Sequence, residues 1–390
     1  MKISLLISFI ILLSCEWSEG TPTRQVVKPT NEVADNGLDD TDLLLAFVVF
    51  RHGDRTPDQD ELALYPDAES SNKNIFFPFG KKALTNKGKQ RGFAVGKYLR
   101  KRYDGFLSRL YLPDEITVRT TAFDRTKMTA LTALAGLYPP PPAQRWNPLL
   151  DWQPVPYDTL DGDTDDLLYY YNCPRYIALR DQVYQQPEIK ESLVPYEGLF
   201  HYLQKHTGMN ITSPEQVFYL DNLFQTLRNV GVNPPKWAQE VMPEIKEVTK
   251  IEYAAEFYTP ELVRLASGIF MEGLINASKS YIAGDTEQPK TRLYSAHENN
   301  VAAAMAAARV FIPHQPQYGS TISIEFRRDK STGSYGFAAV YSPEAGGPGK
   351  ILTVDGCDGK ALCDYDKFLT LVQDVLMSKE EYKAECAILP

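Results

Sequence analysis

Arg51-His52-Gly53-Asp54-Arg55 sets two guanidinium groups around an imidazole, directly after the apolar run Leu43 to Phe50. Charges this close to a buried strand are costly unless a ligand needs them there. Arginine's planar fork of donors matches the oxygens of a phosphate. Neutral imidazole is a nucleophile toward phosphorus, and a covalent intermediate splits one hard displacement into two easier ones. Two further charged clusters occupy similar places: Arg119 ends the strand-like EITVR, and His297-Glu298 follows TRLYS. His297 can donate hydrogen bonds to a transferring phosphoryl group. Glu298 can protonate the leaving oxygen and then activate a water. The expectation is therefore His52 as nucleophile, Arg51, Arg55, Arg119 and His297 as phosphate ligands, and Glu298 as proton donor.

Each residue also has a plainer role. An arginine can pair with Asp54, Asp58 or Asp124, Glu298 can cap a helix, and His52 can be a satisfied core residue. Three charged strand ends from distant sequence favour one shared site over three accidents. With five histidines and no HxH or HExxH pair, neither metal nor cofactor is expected. Gly53 reads as the position where a side chain would crowd the phosphate.

The elements that must carry these residues follow from periodicity. Leu43 to Phe50 is apolar on both faces and suits a central strand of a covered sheet. Residues 84–103 read as a helix capped at Thr85, with Gly92, Val95, Gly96, Leu99 and Tyr103 on one stripe facing the sheet. EITVR is a strand. The helix after it opens on a capping box of Thr121 and Asp124 and stops at the prolines from 139. TRLYS is a strand, 301–310 an alanine-rich helix, STISIEFRR and GSYGFAAVYS a hairpin, LTVDGC a last strand and YDKFLTLVQDVL a last helix. Strands alternating with helices at both ends imply an α/β core, residues 43–140 and 286–390. Residues 141–285, with Tyr and Leu at helical spacing, read as a mostly helical cap insertion. In such folds ligands bind outside the carboxyl ends of the strands, where all three charged clusters fall.

The chain has 390 residues, 43% apolar and 23% charged, with a net charge of −9. That balance argues against a nucleic-acid partner, whereas a local arginine cluster can still attract a small anion. Lys2 followed by the short apolar run Ile3 to Cys15, with Ser18 and Gly20, reads as a secretory signal over residues 1–20. The run is too short for a membrane anchor, which needs about 20 residues. Residues 21–42 read as a loose polar leader. Export leaves Cys173, Cys357, Cys363 and Cys386, an even set with three possible pairings. Cys357 and Cys363 can clip one loop, leaving Cys173 for Cys386. Asn210 and Asn276 are glycosylation acceptors.

RHGDRTP resembles the RHGxRxP signature of the histidine acid phosphatases. The resemblance continues through residues 84–103, VRTTAFDRTKMTALTALAGLYPP, His297-Glu298 and GCDGKALC, most nearly in secreted, insect venom-type members. It implies an α/β core with a helical cap and hydrolysis of small phosphomonoesters at acid pH through a phosphohistidine at His52. It also implies roles in phosphate binding for Arg51, Arg55, Arg119 and His297, a homodimer, and secretion, into venom or saliva rather than a lysosome. Many members carry His-Asp where this chain has His297-Glu298. The alternatives are a narrower phosphatase, such as a phytase or lysophospholipid phosphatase, and an exported binder of phosphate ligands with little turnover.

Overall fold

The computed structural model describes residues 37–70 and 75–389. The expected signal peptide and most of the expected leader lie outside them. Eight strands form one mixed sheet: β1 Thr41–Arg51, β2 Ile116–Thr120, β3 Asp158–Thr159, β4 Thr291–Ala296, β5 Thr321–Asp329, β6 Tyr335–Ser342, β7 Lys350–Leu352 and β8 Cys363–Asp364. Their order is β3-β2-β4-β1-β5-β6-β7, with β8 also on β6. β3, β2, β4 and β1 run parallel, and β5 turns the sheet antiparallel. The carboxyl ends of β1, β2 and β4 therefore share one edge with the start of β5. Backbone bonds stitch that edge together: His52 N donates to Ala296 O at 2.9 Å, Arg51 N to Ser320 O at 3.0 Å and Thr121 N to Ser295 O at 3.3 Å.

The helices are α1 Gln59–Ala63, α2 Asp67–Ser70, α3 Asn86–Arg102, α4 Asp124–Leu137, α5 Pro174–Val183, α6 Pro187–Leu193, α7 Glu197–Thr207, α8 Pro214–Asn229, α9 Lys236–Glu240, α10 Met242–Glu256, α11 Pro260–Ile282, α12 Glu298–Ala307, α13 Tyr365–Val372 and α14 Lys379–Cys386. β1 shows why both faces of the sheet are covered. Ala46, Val48 and Phe50 enter a core with α3 and α4, while Leu45, Phe47 and Val49 enter the larger core with α11 and α12. Burying apolar side chains on both faces stabilises the fold by about 25 cal/mol per Å² removed from water.

A third cluster draws Leu199, Leu220, Phe224, Ile245 and Val248 from α7, α8 and α10, together with Leu62 of α1. The hydrophobic clusters thus cut across the expected boundaries at 141 and 285: α1 joins the helical cluster, and α11 belongs to the sheet's core. Both foreseen disulfides are present, Cys173–Cys386 and Cys357–Cys363.

Three local readings are corrected. Gly92 and Gly96 bring α3 onto α4 rather than the sheet: a Cβ at Gly96 would lie 1.9 Å from Ala133 O. The α4 N-cap is Phe123, and no Thr121–Asp124 box forms, because the Thr121 hydroxyl is engaged elsewhere. A Cβ at Gly53 would meet Gly88 O at 2.1 Å, so glycine there serves the approach of α3 to the His52 loop.

Candidate active site

At the carboxyl edge of the sheet, β1 delivers Arg51, the following loop delivers His52 and Arg55, and the junction of β4 with α12 delivers His297 and Glu298. Strand ends and a helix N-terminus are rigid supports, so buried charges here are held rather than mobile. Arg51 is fully buried. Its Nη1 donates to Pro316 O at 2.6 Å, its Nε lies 3.0 Å from Glu298 Oε2, and its guanidinium sits 4.0 Å above the Tyr318 ring. Arg55 donates to Glu61 from Nη1 at 2.8 Å and from Nη2 at 2.5 Å.

The His52 tautomer follows from its partners. Nδ1 lies 2.8 Å from Gly53 O, and a carbonyl only accepts, so Nδ1 carries the proton. Nε2 keeps its lone pair and faces Arg125 Nε at 3.2 Å. The loop is pinned from α4 as well, where Gly53 N donates to Thr129 Oγ1 at 3.1 Å. The imidazoles of His52 and His297 stand 5.4 Å apart. His297 Nε2 is 3.0 Å from Thr121 Oγ1, which in turn lies 2.8 Å from Thr126 Oγ1. Phe123 forms a wall edge-on to His297 at 5.1 Å, with Tyr169 6.2 Å from Phe123.

Of the expected residues, Arg51, His52, Arg55, His297 and Glu298 come together and Arg119 does not. Arg119 lies within β2 and pairs with buried Asp165. The third guanidinium at His52 is Arg125, in the first turn of α4, a position that helical periodicity alone does not mark. Strand alternation holds the missed signal. Val118 packs toward α3 and α4, so Arg119 must face the opposite side of β2.

The electrostatics describe a site waiting for negative charge. Burial and the Arg125, His297, Arg51 and Arg55 charges hold His52 well below the usual histidine range. Burial and the three arginines do the same to His297. Burial works to raise Glu298, but Arg51 and then Arg55 outweigh it and keep the carboxyl below its usual value. Burial and neighbouring Arg55 push Arg125 itself down to about 10. Three guanidinium nitrogens, Arg51 Nη2, Arg55 Nε and Arg125 Nη1, are buried without a hydrogen-bond partner. Leaving such buried donors unsatisfied is costly, and an oxyanion would satisfy all three. His52, His297 and Glu298 have donor atoms within 4.8 Å of one another. Those donors suit a metal ion, but the three guanidiniums around them favour an anion.

A phosphoryl-handling α/β enzyme is the class this edge defines. The chain belongs to the histidine phosphatase superfamily, branch 2, whose model matches residues 42–341, and within it is an acid phosphatase. It is 31% identical to venom acid phosphatase Acph-1 of Apis mellifera over 86% of this chain and 85% of that one. It is 32% identical to prostatic acid phosphatase of Bos taurus, covering 91% and 90%. Among solved structures, Hafnia alvei phytase in complex with tartrate superposes with a TM-score of 0.65 at 15% identity, covering 90% of this chain and 99% of that chain. Klebsiella sp ASR1 phytase gives 0.64 at 14%, covering 90% and 100%. At such identities the structural likeness speaks for the fold alone.

Proposed function

We propose that this chain is an exported acid phosphatase that hydrolyses a broad range of small phosphomonoesters through a phosphohistidine at His52. The carrying observation is the ring of three buried, unpartnered guanidinium N–H groups around an imidazole whose Nε2 is unprotonated. A substrate phosphoryl group seated in that ring places phosphorus before Nε2. The Nε2–P bond forms as the bond to the ester oxygen breaks, and Glu298 gives that oxygen a proton, releasing the alcohol. Water then attacks phosphorus, Glu298 takes its proton, and the N–P bond breaks to give inorganic phosphate. Arg51 holds the Glu298 carboxyl below its usual range, so its proton must arrive with substrate. The bound phosphate draws on the same arginines and raises the carboxyl, which suits mildly acidic conditions.

Export is supported by the two disulfides, by the exposure of Asn210 and Asn276 to a glycosylating enzyme, and by the venom and prostatic relatives. No helix among the described residues is long and apolar enough to cross a membrane. Exposed Trp146, Leu149 and Leu160, in the segment that leads into and out of the short edge strand β3, are where a second copy would dock to form a homodimer.

The decisive test is His52→Ala, assayed with p-nitrophenyl phosphate at acid pH. Removing the nucleophile lowers kcat by about 10⁴ or more, and a quenched wild-type turnover carries acid-labile phosphate on His52. Activity within tenfold of wild type, or label on another side chain, sinks the mechanism. A wild type that binds phosphate but turns over nothing is a binding protein. Parallel assays with an inositol phosphate and a lysophosphatidate read the breadth of the specificity.

A further inference from the structure

Arg55 and Arg102 each pair with a buried glutamate, but in opposite ways. A guanidinium has five N–H donors. Glu61 Oε2 and Oε1 accept one from Nη1 and one from Nη2, at 2.8 and 2.5 Å. The carbonyl of Thr56 accepts from Nη1 at 3.1 Å. Two donors remain, the Nε–H and the second N–H of Nη2, side by side on one edge of the plane. That edge is the fork that grips an oxyanion in two-point fashion, and its Nε is buried with no partner. Arg102 makes the opposite choice. Its Nε and Nη2 already hold Glu325 at 2.7 and 2.9 Å, so its fork is closed and the pair is a structural clasp.

Glu61 is itself anchored. It is 2% exposed, its Oε2 also accepts from Asp58 N at 2.8 Å, and its neighbour Leu62 packs in the helical cluster with α8. From the end of α8, Asn229 Nδ2 donates to Arg55 O at 3.1 Å. Both ends of Arg55 are thus tied to the helical cluster rather than to the sheet.

We infer that Glu61 is a positioning residue for phosphate: by occupying the far edge of the Arg55 guanidinium it turns the open fork into the cradle at His52. The inference rests on the proposed phosphate site, with Glu61 acting through Arg55 and touching no substrate. It also gives the helical cluster a part in catalysis distinct from enclosing the leaving group.

The test is a double-mutant cycle read by the inhibition constant of inorganic phosphate and by kcat and KM for p-nitrophenyl phosphate. Glutamine cannot accept from both Nη groups, so Glu61→Gln weakens phosphate by about tenfold or more and raises KM with it. In an Arg55→Ala background, where no fork exists, the same change alters the constant by less than about twofold. Asp58→Ala damages the same helix cap but spares the Arg55 pair, and it leaves phosphate inhibition within about threefold of wild type. Should Glu61→Gln fail to fold, Glu61→Asp carries the test. Its carboxylate, shorter by one methylene, cannot reach both nitrogens and weakens phosphate at least about threefold. Multiplying effects in the cycle, an unchanged constant in the Glu61 variants, or an equal loss in Asp58→Ala each overturn the inference. A wild type that phosphate does not inhibit fails earlier, and fails the proposed function rather than the role of Glu61.

Discussion

Two regions of this molecule bury carboxylates, and they behave in opposite ways. Glu298 faces Arg51, Arg55 and Arg125 and is held below the usual carboxyl range despite its burial. Glu252 and Glu256 sit one turn apart on the buried face of α10. Burial and the neighbouring Glu256 push Glu252 up to about 8, and burial lifts Glu256 to about 7. Their partners are mostly neutral. The Tyr184 hydroxyl lies 2.8 and 2.7 Å from the two Glu252 oxygens, and the Tyr171 hydroxyl donates to Glu256 at 2.7 Å. Arg180 faces the same pair but is already engaged by Glu215 and Asp181. Burial is common to both regions, so the partner decides the sign. The catalytic edge has positive charge in excess and awaits an anion, whereas α10 has negative charge in excess and awaits protons.

The largest effects should come from the positive side. Arg125→Ala removes the guanidinium nearest His52 Nε2 and lowers kcat/KM by about 10²–10³. It also moves the acid limb of the pH profile upward, because His52 loses a charge that depresses it. Arg119→Ala leaves Asp165 buried and unpaired, costing about 3 kcal/mol of stability while kcat/KM stays within about tenfold. Kinetics and thermal unfolding of the two variants separate them. The reverse order would mean that Arg119, not Arg125, completes the cradle.

Much of this edge was legible in the sequence, and what was not has physical causes. The strand ahead of Arg51-His52 is an unbroken apolar run, and TRLYS and STISIEFRR carry strand character of their own. The Thr85 cap of α3 forms as read, its hydroxyl accepting from Gly88 N at 3.1 Å. β3 has two residues, too few for any pattern. In α14 only Tyr382 and Cys386 are buried, so no apolar stripe announced it, and its anchor is a bond to distant Cys173. Glu61 is one acid among several between RHGDRTP and α3, alongside Asp58, Asp60 and Asp67. Its pairing with Arg55 depends on where that loop folds back, which spacing does not encode. Arg119 stands at a strand end, but face, not position, decides which way a strand residue points.

Glu298 gives the next effect. If the arginines hold it ionised until substrate arrives, Glu298→Gln removes the proton donor without removing bulk. Hydrolysis of an alkyl phosphate should fall about a hundredfold, and of p-nitrophenyl phosphate by less than about tenfold, since only poor leaving groups need protonation. Equal losses on both substrates would recast Glu298 as a simple counterion to Arg51 and erase its contrast with α10.

On activity the α10 side has the smallest effect, and it is read by stability instead. A carboxyl whose pKa is higher in the fold than in the unfolded chain binds more protons when folded, so its contribution to stability is lost as pH rises. For Glu252 and Glu256 the loss begins near the ordinary value of 4.5 and runs through about 7 and about 8. Wild type should therefore lose on the order of 6 kcal/mol between pH 5 and pH 8 from this pair, even as the catalytic edge keeps its charges. The double variant Glu252→Gln, Glu256→Gln keeps the polar contacts to Tyr171 and Tyr184 but cannot ionise. Its melting temperature should stay flat across that range where wild type declines, with the two curves converging near pH 5. A wild-type melting temperature that rises toward pH 8, or a variant that declines in parallel, would show that Arg180 neutralises the pair and that both buried regions obey the same rule.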